Sequence, residues 1–135
     1  MSEIKITALT ENLDRVIGFI EDELDAMDCP AKTRVQINVA VEEIFVNIAH
    51  YAYADGCGDA TINICNDSEA QAIRIKFMDS GVPYNPLEKP DPDVTLSAEE
   101  REIGGLGIYM VKKSMDEINY EYKDGKNILE IVKKK

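Results

Sequence analysis

The stretch Val41–Tyr53, VEEIFVNIAHYAY, places two polar side chains in an apolar sequence at a helical spacing. Glu43 and Asn47 are four residues apart, so they share one face of a helix. Because most of the surrounding residues are apolar, a carboxylate and a carboxamide here need partners. Their oxygens suit a divalent metal ion and a water. The alternative interpretation is a solvated polar stripe on an ordinary helix.

On either side of this stretch, hydrophobic periodicity predicts a series of strands and helices. In chain order these are a strand at Glu3–Leu9, a helix at Asn12–Met27, a helix at Pro30–Tyr53, strands at Ala60–Asn66 and Ala72–Asp79 joined by a turn at Asn66–Glu69, a helix at Ile108–Met115, and the strands EINYEYK and NILEIVK around the turn Asp124–Lys126. The apolar positions of the second helix include Val35, Val39, Phe45, Val46 and Ile48. Since most strands are joined as hairpins, we expect an α/β fold of two layers, a mixed but mostly antiparallel sheet with helices on one face.

The segment Asp79–Pro86, DSGVPYNP, follows the third predicted strand. Asp79 is either an ordinary turn-starting residue or a residue that binds a ligand. Gly81 allows the backbone to approach a ligand closely, and the two prolines stiffen the loop. An ionised carboxylate only accepts hydrogen bonds, so Asp79 suits an exocyclic amine such as N6 of adenine.

A glycine cluster in Gly104–Met110, GGLGIYM, precedes the last predicted helix. It lacks both the Gly-Lys-Ser/Thr ending of a Walker A loop and the GxGxxG spacing of a dinucleotide-binding loop. Glycine-rich turns at helix starts are common, but the amide groups and the helix N-terminus also suit an anion. A long stretch without periodicity, containing four of the five prolines, separates Asp79 from this cluster, as is typical of a functional loop.

Composition narrows the class of function. The 135 residues suggest one domain, and 15 basic against 26 acidic residues give a net charge of −11. Such a charge repels phosphate backbones and anionic lipid, so we expect neither direct nucleic-acid binding nor membrane binding. No apolar run has the length of a spanning helix and no secretory pattern opens the chain, so we expect a cytoplasmic protein. Cys29, Cys57 and Cys65 have no CxxC spacing, which predicts reduced thiols.

In this order, VEEIFVNIAHYAY, DSGVPYNP and EIGGLGIYMVKKSMDE resemble the N, G1 and G2 boxes of the GHKL superfamily. That superfamily includes gyrase-type ATPases, heat-shock chaperones and histidine kinases. The whole chain, with its final DGKNILEIV hairpin, is most similar to the bacterial anti-sigma-factor serine/threonine kinases, small ATP-binding domains of about this length. The resemblance implies the Bergerat (GHKL ATPase) fold, a single ATP-binding kinase domain over residues 1–135, and the cofactors ATP and Mg²⁺.

The resemblance also implies roles for individual positions. Glu43 matches the general base, Asn47 the Mg²⁺ ligand and Asp79 the adenine-binding aspartate, with Gly81 beside it. The positions that match the phosphate-binding loop are Gly104, Gly105, Leu106, Gly107 and Ile108, and residues 87–103 match the ATP lid. The nucleotide-binding set is completed by Tyr51 where relatives often carry a histidine, by Arg101 slightly upstream of its usual place, and by Asn127.

The activity implied by the resemblance is ATP-dependent serine phosphorylation of a STAS-type anti-sigma-factor antagonist. A sigma factor or another regulator is implied as a second partner, and a homodimer as the assembly. A nucleotide-dependent binding switch without catalysis is one alternative, although a pure binder has no need of a base such as Glu43. A histidine-kinase-like ATPase domain is another, although the only histidine, His50, lies inside the predicted N-box helix rather than in a separate phosphoacceptor helix pair.

Overall fold

A computed structural model describes residues 2–53, 56, 58–88 and 105–135, and of Gly105 and Leu106 it describes the backbone only. The elements are β1 (Ser2–Thr7), a 3₁₀ turn (Thr10–Asn12), α1 (Leu13–Ala26), α2 (Ala31–Tyr51), β2 (Asp59–Asp67), β3 (Ala72–Asp79), a second 3₁₀ turn (Pro86–Glu88), α3 (Gly105–Ser114), β4 (Glu117–Lys123) and β5 (Lys126–Lys134). This order of strands and helices confirms the one predicted from periodicity. Among the described residues, no helix has both the length and the apolar character that crossing a membrane requires.

The strands form one sheet in the order β1-β2-β3-β5-β4, and all four neighbouring pairs are antiparallel. The described part of the sheet is therefore wholly antiparallel rather than mixed. β3 is the central strand, and its last residue, Asp79, pairs with Ala60 on one side and with Asn127 on the other. The register thus places Asp79 at one end of the middle of the sheet.

One face of the sheet packs against the helices. Alternate residues of the two adjoining strands β2 and β3 are almost fully buried, namely Ile62, Ile64, Ile73, Ile75 and Phe77. They meet helix residues that are equally buried, namely Val16, Ile20, Leu24, Ile37, Val41 and Phe45. Slipping any strand by one residue would turn its buried side chains outward, so this core fixes the register. The two-layer α/β fold is confirmed.

Two of the apolar positions named for the second predicted helix lie outside the buried face of α2. Val35 and Val39 are 62% and 54% exposed. The buried positions of the helix are Thr33, Ile37, Ala40, Val41, Ile44, Phe45 and Ile48. At about 100° per residue, the two valines lie nearly opposite Ile37 and Val41, so they cannot reach the sheet. Because α2 carries apolar residues on several sides, the periodicity of the sequence did not identify which side faces the sheet.

Several predicted boundaries also shift, by one to three residues. α3 begins at Gly105, three residues before Ile108, because part of the glycine cluster is itself helical. The turn between β2 and β3 covers residues 68–71 rather than Asn66–Glu69, and the Asp67 side chain stabilises it by accepting a hydrogen bond from the N–H of Ala70. Cys29 and Cys65 are free thiols, as predicted, and Cys57 lies outside the described residues.

Candidate nucleotide-binding site

α2 presents Glu43 and Asn47 on one edge of its inward face. Nδ2 of Asn47 donates a long hydrogen bond of 3.4 Å to Oε1 of Glu43. Burial raises the pKa of the Glu43 carboxyl above its usual value, the hydrogen bond from Asn47 lowers it, and the charge of neighbouring Glu42 raises it. The net upward shift makes ionised Glu43 a better proton acceptor than an exposed glutamate.

The first turn of α3 packs directly on this pair. A Cβ atom on Gly107 would overlap the carboxylate of Glu43, so with the side chain in this position any larger residue at 107 requires that carboxylate or the start of α3 to shift. The contact brings the start of α3 at Gly105 to the Glu43 side of α2. The free N–H groups of a helix N-terminus carry partial positive charge and favour an anion.

Asp79 ends β3 and is 7% exposed. Its Oδ1 accepts hydrogen bonds of 2.9 Å from the N–H of Gly81 and from Nδ2 of Asn127. Among the residues that the structure describes, no hydrogen bond is made to Oδ2. One carboxylate oxygen is therefore fixed by the protein, and the other keeps its capacity to accept a bond from a ligand.

The loop after β3 is attached to the end of α2. The N–H of Val82 donates a 3.0 Å hydrogen bond to the carbonyl of Ala52. A Cβ atom on Gly81 would overlap the same carbonyl, so this approach also needs a glycine. The loop that carries the second motif thus packs against the helix that carries the first.

Asn127, near the start of β5, is 6% exposed and lies at the centre of a polar cluster. Its Nδ2 donates to Oδ1 of Asp79 and to the carbonyl of Val82, both at 2.9 Å. Its Oδ1 accepts from the N–H of Tyr84 at 3.0 Å and from the hydroxyl of Tyr120. The side chain therefore joins β3, β4, β5 and the Gly81–Tyr84 loop.

These elements line a pocket that is open to solvent. Five of the predicted site residues line it, namely Asn47, Tyr51, Asp79, Ile108 and Asn127. Glu43 and Gly81 adjoin it through the contacts given above, and Gly107 adjoins it through Glu43. The remaining lining residues are Ile44, Ile48, Ala52, Phe77, Val82, Tyr84, Pro86, Tyr120 and Leu129.

For the other predicted positions, the structure does not describe the side chains. Arg101, Gly104 and most of the predicted lid lie outside the described residues. Gly105 and Leu106 are described as backbone only, in the first turn of α3. Their roles stay predictions from the resemblance.

Two tyrosines of the pocket were missed by sequence reasoning. Tyr84 lies within the quoted DSGVPYNP motif, and its ring centroid is 6.3 Å from that of Tyr51. Tyr120 alternates with exposed neighbours in β4 and pairs with Leu129, so it lies on the helix side of the sheet. The two-residue alternation of EINYEYK, combined with the Asp-Gly turn, was the signal that could have placed it.

The site fits a magnesium ion bound mainly through phosphate. Among the described residues, no group of three or more His, Cys, Asp or Glu side chains could hold a metal. Asn47 lines the pocket, and no described residue donates a hydrogen bond to its Oδ1. Mg²⁺ typically keeps several waters and is held by one or two carboxylates together with substrate phosphates. The carboxamide oxygen of Asn47 would supply one protein ligand to such an ion.

Known relatives resemble between about three quarters and nearly all of the chain. It is 26% identical to anti-sigma F factor of Clostridium acetobutylicum over 98% of this chain and 92% of that protein. It is 24% identical to serine/threonine-protein kinase BtrW of Bordetella bronchiseptica over 73% of this chain and 69% of the relative. Serine-protein kinase RsbW of Bacillus mycoides is 27% identical over 84% of this chain, which spans 66% of that relative.

The fold has a solved counterpart in the histidine kinase domain of a blue-light activated histidine kinase from Erythrobacter litoralis. The TM-score is 0.54 at 16% identity, over 89% of this chain and 59% of that one, a likeness that concerns the fold alone. The sequence profile of the histidine kinase-like ATPase domain matches residues 6–133. The chain therefore belongs to the histidine kinase-like ATPase domain family, within the GHKL superfamily that its three boxes resemble.

Proposed function

We propose that this protein binds Mg·ATP and transfers the γ-phosphoryl group to a serine hydroxyl of a STAS-type anti-sigma-factor antagonist. The observation that carries the proposal is the pocket that joins the Glu43–Asn47 pair, the Asp79 carboxylate and the start of α3. Relatives named anti-sigma factor and serine-protein kinase support the reaction class and the kind of partner.

The base of ATP would occupy the sheet end of the pocket. Oδ2 of Asp79 is available to accept a hydrogen bond from the exocyclic amine of adenine. Ile48, Phe77 and Leu129 line the same pocket and suit the faces of a planar ring.

The phosphates would lie toward the start of α3. The N–H groups of its first turn favour negative charge, and Asn47 offers an oxygen to Mg²⁺. Bound Mg²⁺ would neutralise charge on the phosphate oxygens. In this proposal Gly104 and Arg101 belong to the phosphate site and residues 87–103 to the lid, as the resemblance implies.

Glu43 would act as the general base. Its carboxylate accepts the proton of the serine hydroxyl as the serine oxygen bonds to the γ-phosphorus. The bond from that phosphorus to the bridging oxygen breaks, and ADP leaves with the electron pair. Partial burial and the contact with Gly107 hold the carboxylate in place beside Asn47.

The test incubates the purified protein with Mg²⁺, labelled ATP and a STAS-domain antagonist from the same genome. Label on a serine of the antagonist supports the proposal. Binding of ATP with neither transfer nor hydrolysis supports the nucleotide-dependent switch instead. Acid-labile label on histidine supports a histidine-kinase-like activity. A sigma factor as second partner, a homodimer and a cytoplasmic location stay predictions.

A further inference from the structure

We propose that Asn127 is a positioning residue: it orients the Asp79 carboxylate and thereby sets the preference for a base with an exocyclic amine, without contacting the nucleotide itself. The inference rests on the proposed function, and it revises the role that the resemblance implied for this position. It is carried by the hydrogen bonds of one buried side chain.

A carboxamide has two donor hydrogens and an oxygen that accepts two bonds. Nδ2 of Asn127 uses both donors, toward Asp79 and toward the carbonyl of Val82. Its Oδ1 accepts the N–H of Tyr84 and the hydroxyl of Tyr120. All four positions are occupied by protein groups, so a nucleotide could bond to Asn127 only by displacing one of them.

The bond to Asp79 determines which way its carboxylate faces. Rotation about χ2 of an aspartate is soft, with a broad two-fold profile. Oδ1 is held by Asn127 and by the N–H of Gly81 together, which leaves Oδ2 as the oxygen available to a ligand. Without Asn127, one of the two bonds that fix this orientation is lost.

Asn127 also ties down the wall of the pocket next to Asp79. Val82 and Tyr84 both line the pocket, and their backbone groups bond to opposite ends of the same carboxamide. One side chain thus fixes the Asp79 carboxylate and the loop that follows it. Loss of Asn127 should therefore affect recognition of the base more than binding of the phosphates.

The strand framework makes Asn127 a rigid support. Asp124 and Gly125 both have positive φ, 55° and 76°, and form a two-residue turn that pairs Lys123 with Lys126. This register places Asn127 opposite Asp79 on the neighbouring strand. A site residue held by strands is positioned more accurately than one held by a loop alone.

The experiment compares ATP with inosine triphosphate, which carries a carbonyl oxygen in place of the adenine amine. Calorimetry of Asn127→Ala should show ATP affinity reduced about tenfold, the size of a weakened bond to a charged group, with little change for inosine triphosphate. The preference for ATP therefore falls. Asn119→Ala, an exposed asparagine of β4, is the matched control and should bind as the wild type does.

A double-mutant cycle with Asp79→Ala distinguishes positioning from direct contact. If Asn127 acts through Asp79, adding Asn127→Ala to Asp79→Ala costs ATP binding little more. If the two losses multiply, Asn127 contacts the nucleotide and the proposal is overturned. Equal loss of ATP and inosine triphosphate in Asn127→Ala also overturns it, because that pattern indicates a structural role.

Asn127→Asp separates the two ends of the carboxamide. It keeps an acceptor for Tyr84 and Tyr120 but removes both donors and sets a second carboxylate against Oδ1 of Asp79. Its preference for ATP should fall at least as far as that of Asn127→Ala, and an unchanged preference overturns the proposal. A wild type that binds ATP and inosine triphosphate equally overturns the adenine assignment in the proposed function as well. A wild-type preference for ATP that survives in every Asn127 variant overturns the positioning role alone.

Discussion

The two ends of the pocket are built differently. At the sheet end, Asp79 and Asn127 are joined to each other and to surrounding backbone by hydrogen bonds of 2.9–3.0 Å. At the helix end, Glu43 and Asn47 share one hydrogen bond of 3.4 Å, and the main further constraint is the contact with Gly107. At the sheet end, most hydrogen-bond donors and acceptors of these side chains already bond to protein groups. At the helix end, most of them remain available to a ligand.

In the proposed function, this difference corresponds to recognition of the base at the sheet end and to phosphoryl transfer at the helix end. A base is recognised by groups that do not move, so saturating Asn127 and one oxygen of Asp79 is useful there. A general base and a metal ligand need free lone pairs, which further protein hydrogen bonds would occupy. Substitution of Glu43 should therefore alter rate, and substitutions at the sheet end should alter affinity.

Glu43→Gln should have the largest effect. Glutamine keeps the size and hydrogen bonding of the side chain but is far less basic. We expect phosphoryl transfer to fall roughly a hundredfold to ten-thousandfold, with ATP affinity near that of the wild type. Single-turnover transfer to the antagonist, together with calorimetry, measures the two quantities.

Glu42→Gln is the matched control because it removes the adjacent carboxylate, which is exposed. Its transfer rate should stay near that of the wild type. Transfer by Glu43→Gln at the wild-type rate would show that Glu43 is not the base.

Gly107→Ala should also act mainly on rate. The new Cβ overlaps the Glu43 carboxylate, so either that side chain or the start of α3 must shift. A displacement of about 1 Å at a reacting group can cost on the order of a hundredfold in rate. We expect a loss of this size in single-turnover transfer.

Gly18→Ala provides the control for Gly107→Ala. Gly18 lies in α1 with open space around it, and alanine there should stabilise the helix by about 0.5–1 kcal/mol without altering transfer. If Gly107→Ala transfers phosphate as fast as Gly18→Ala does, the packing of α3 on Glu43 is not needed for the reaction.

Asp79→Asn should act mainly on affinity. With its oxygen held by Gly81 and Asn127, the new amide would turn its NH₂ group toward the amine of the base. Loss of a hydrogen bond to a charged group is worth about 1.5–3 kcal/mol, so ATP should bind roughly tenfold or more weakly. Calorimetry beside Asp22→Asn, an exposed site on α1, measures it, and equal ATP affinity in both variants contradicts the adenine assignment.

Much of this arrangement was predictable from local patterns. The four-residue spacing of Glu43 and Asn47 predicted a shared helix face, and the alternation in AIRIKFMD predicted β3 with Asp79 at its end. Both patterns depend on backbone geometry that neighbouring residues already determine. The Asp-Gly pair likewise predicted the last hairpin.

What the sequence did not reveal depends on contacts between distant segments. Val35 and Val39 satisfy helical periodicity but face away from the sheet, since only packing decides which apolar side of α2 is buried. The saturated carboxamide of Asn127 requires β3, β4 and the Gly81–Tyr84 loop to meet at one point. No spacing rule along one strand contains that information.

The smallest expected effect is on how the free energy of unfolding depends on pH, through the carboxyl group of Glu43. Because burial raises the pKa of Glu43 above its usual value of 4.5, the folded protein binds the proton more tightly than the unfolded chain does. Stability from this group is therefore complete below the unfolded pKa and is lost as the pH rises through the folded one. Glu43→Gln removes that dependence, so its stability relative to the wild type should increase between pH 4 and pH 8. The increase should stay below about 1 kcal/mol, since solvent screens a partly exposed carboxylate.

Urea unfolding between pH 4 and pH 8 measures this increase, beside Glu69→Gln in the exposed β2–β3 turn as a control for removing one charge. A stability difference that is constant with pH, or that falls as the pH rises, would show that ionising Glu43 costs the fold nothing.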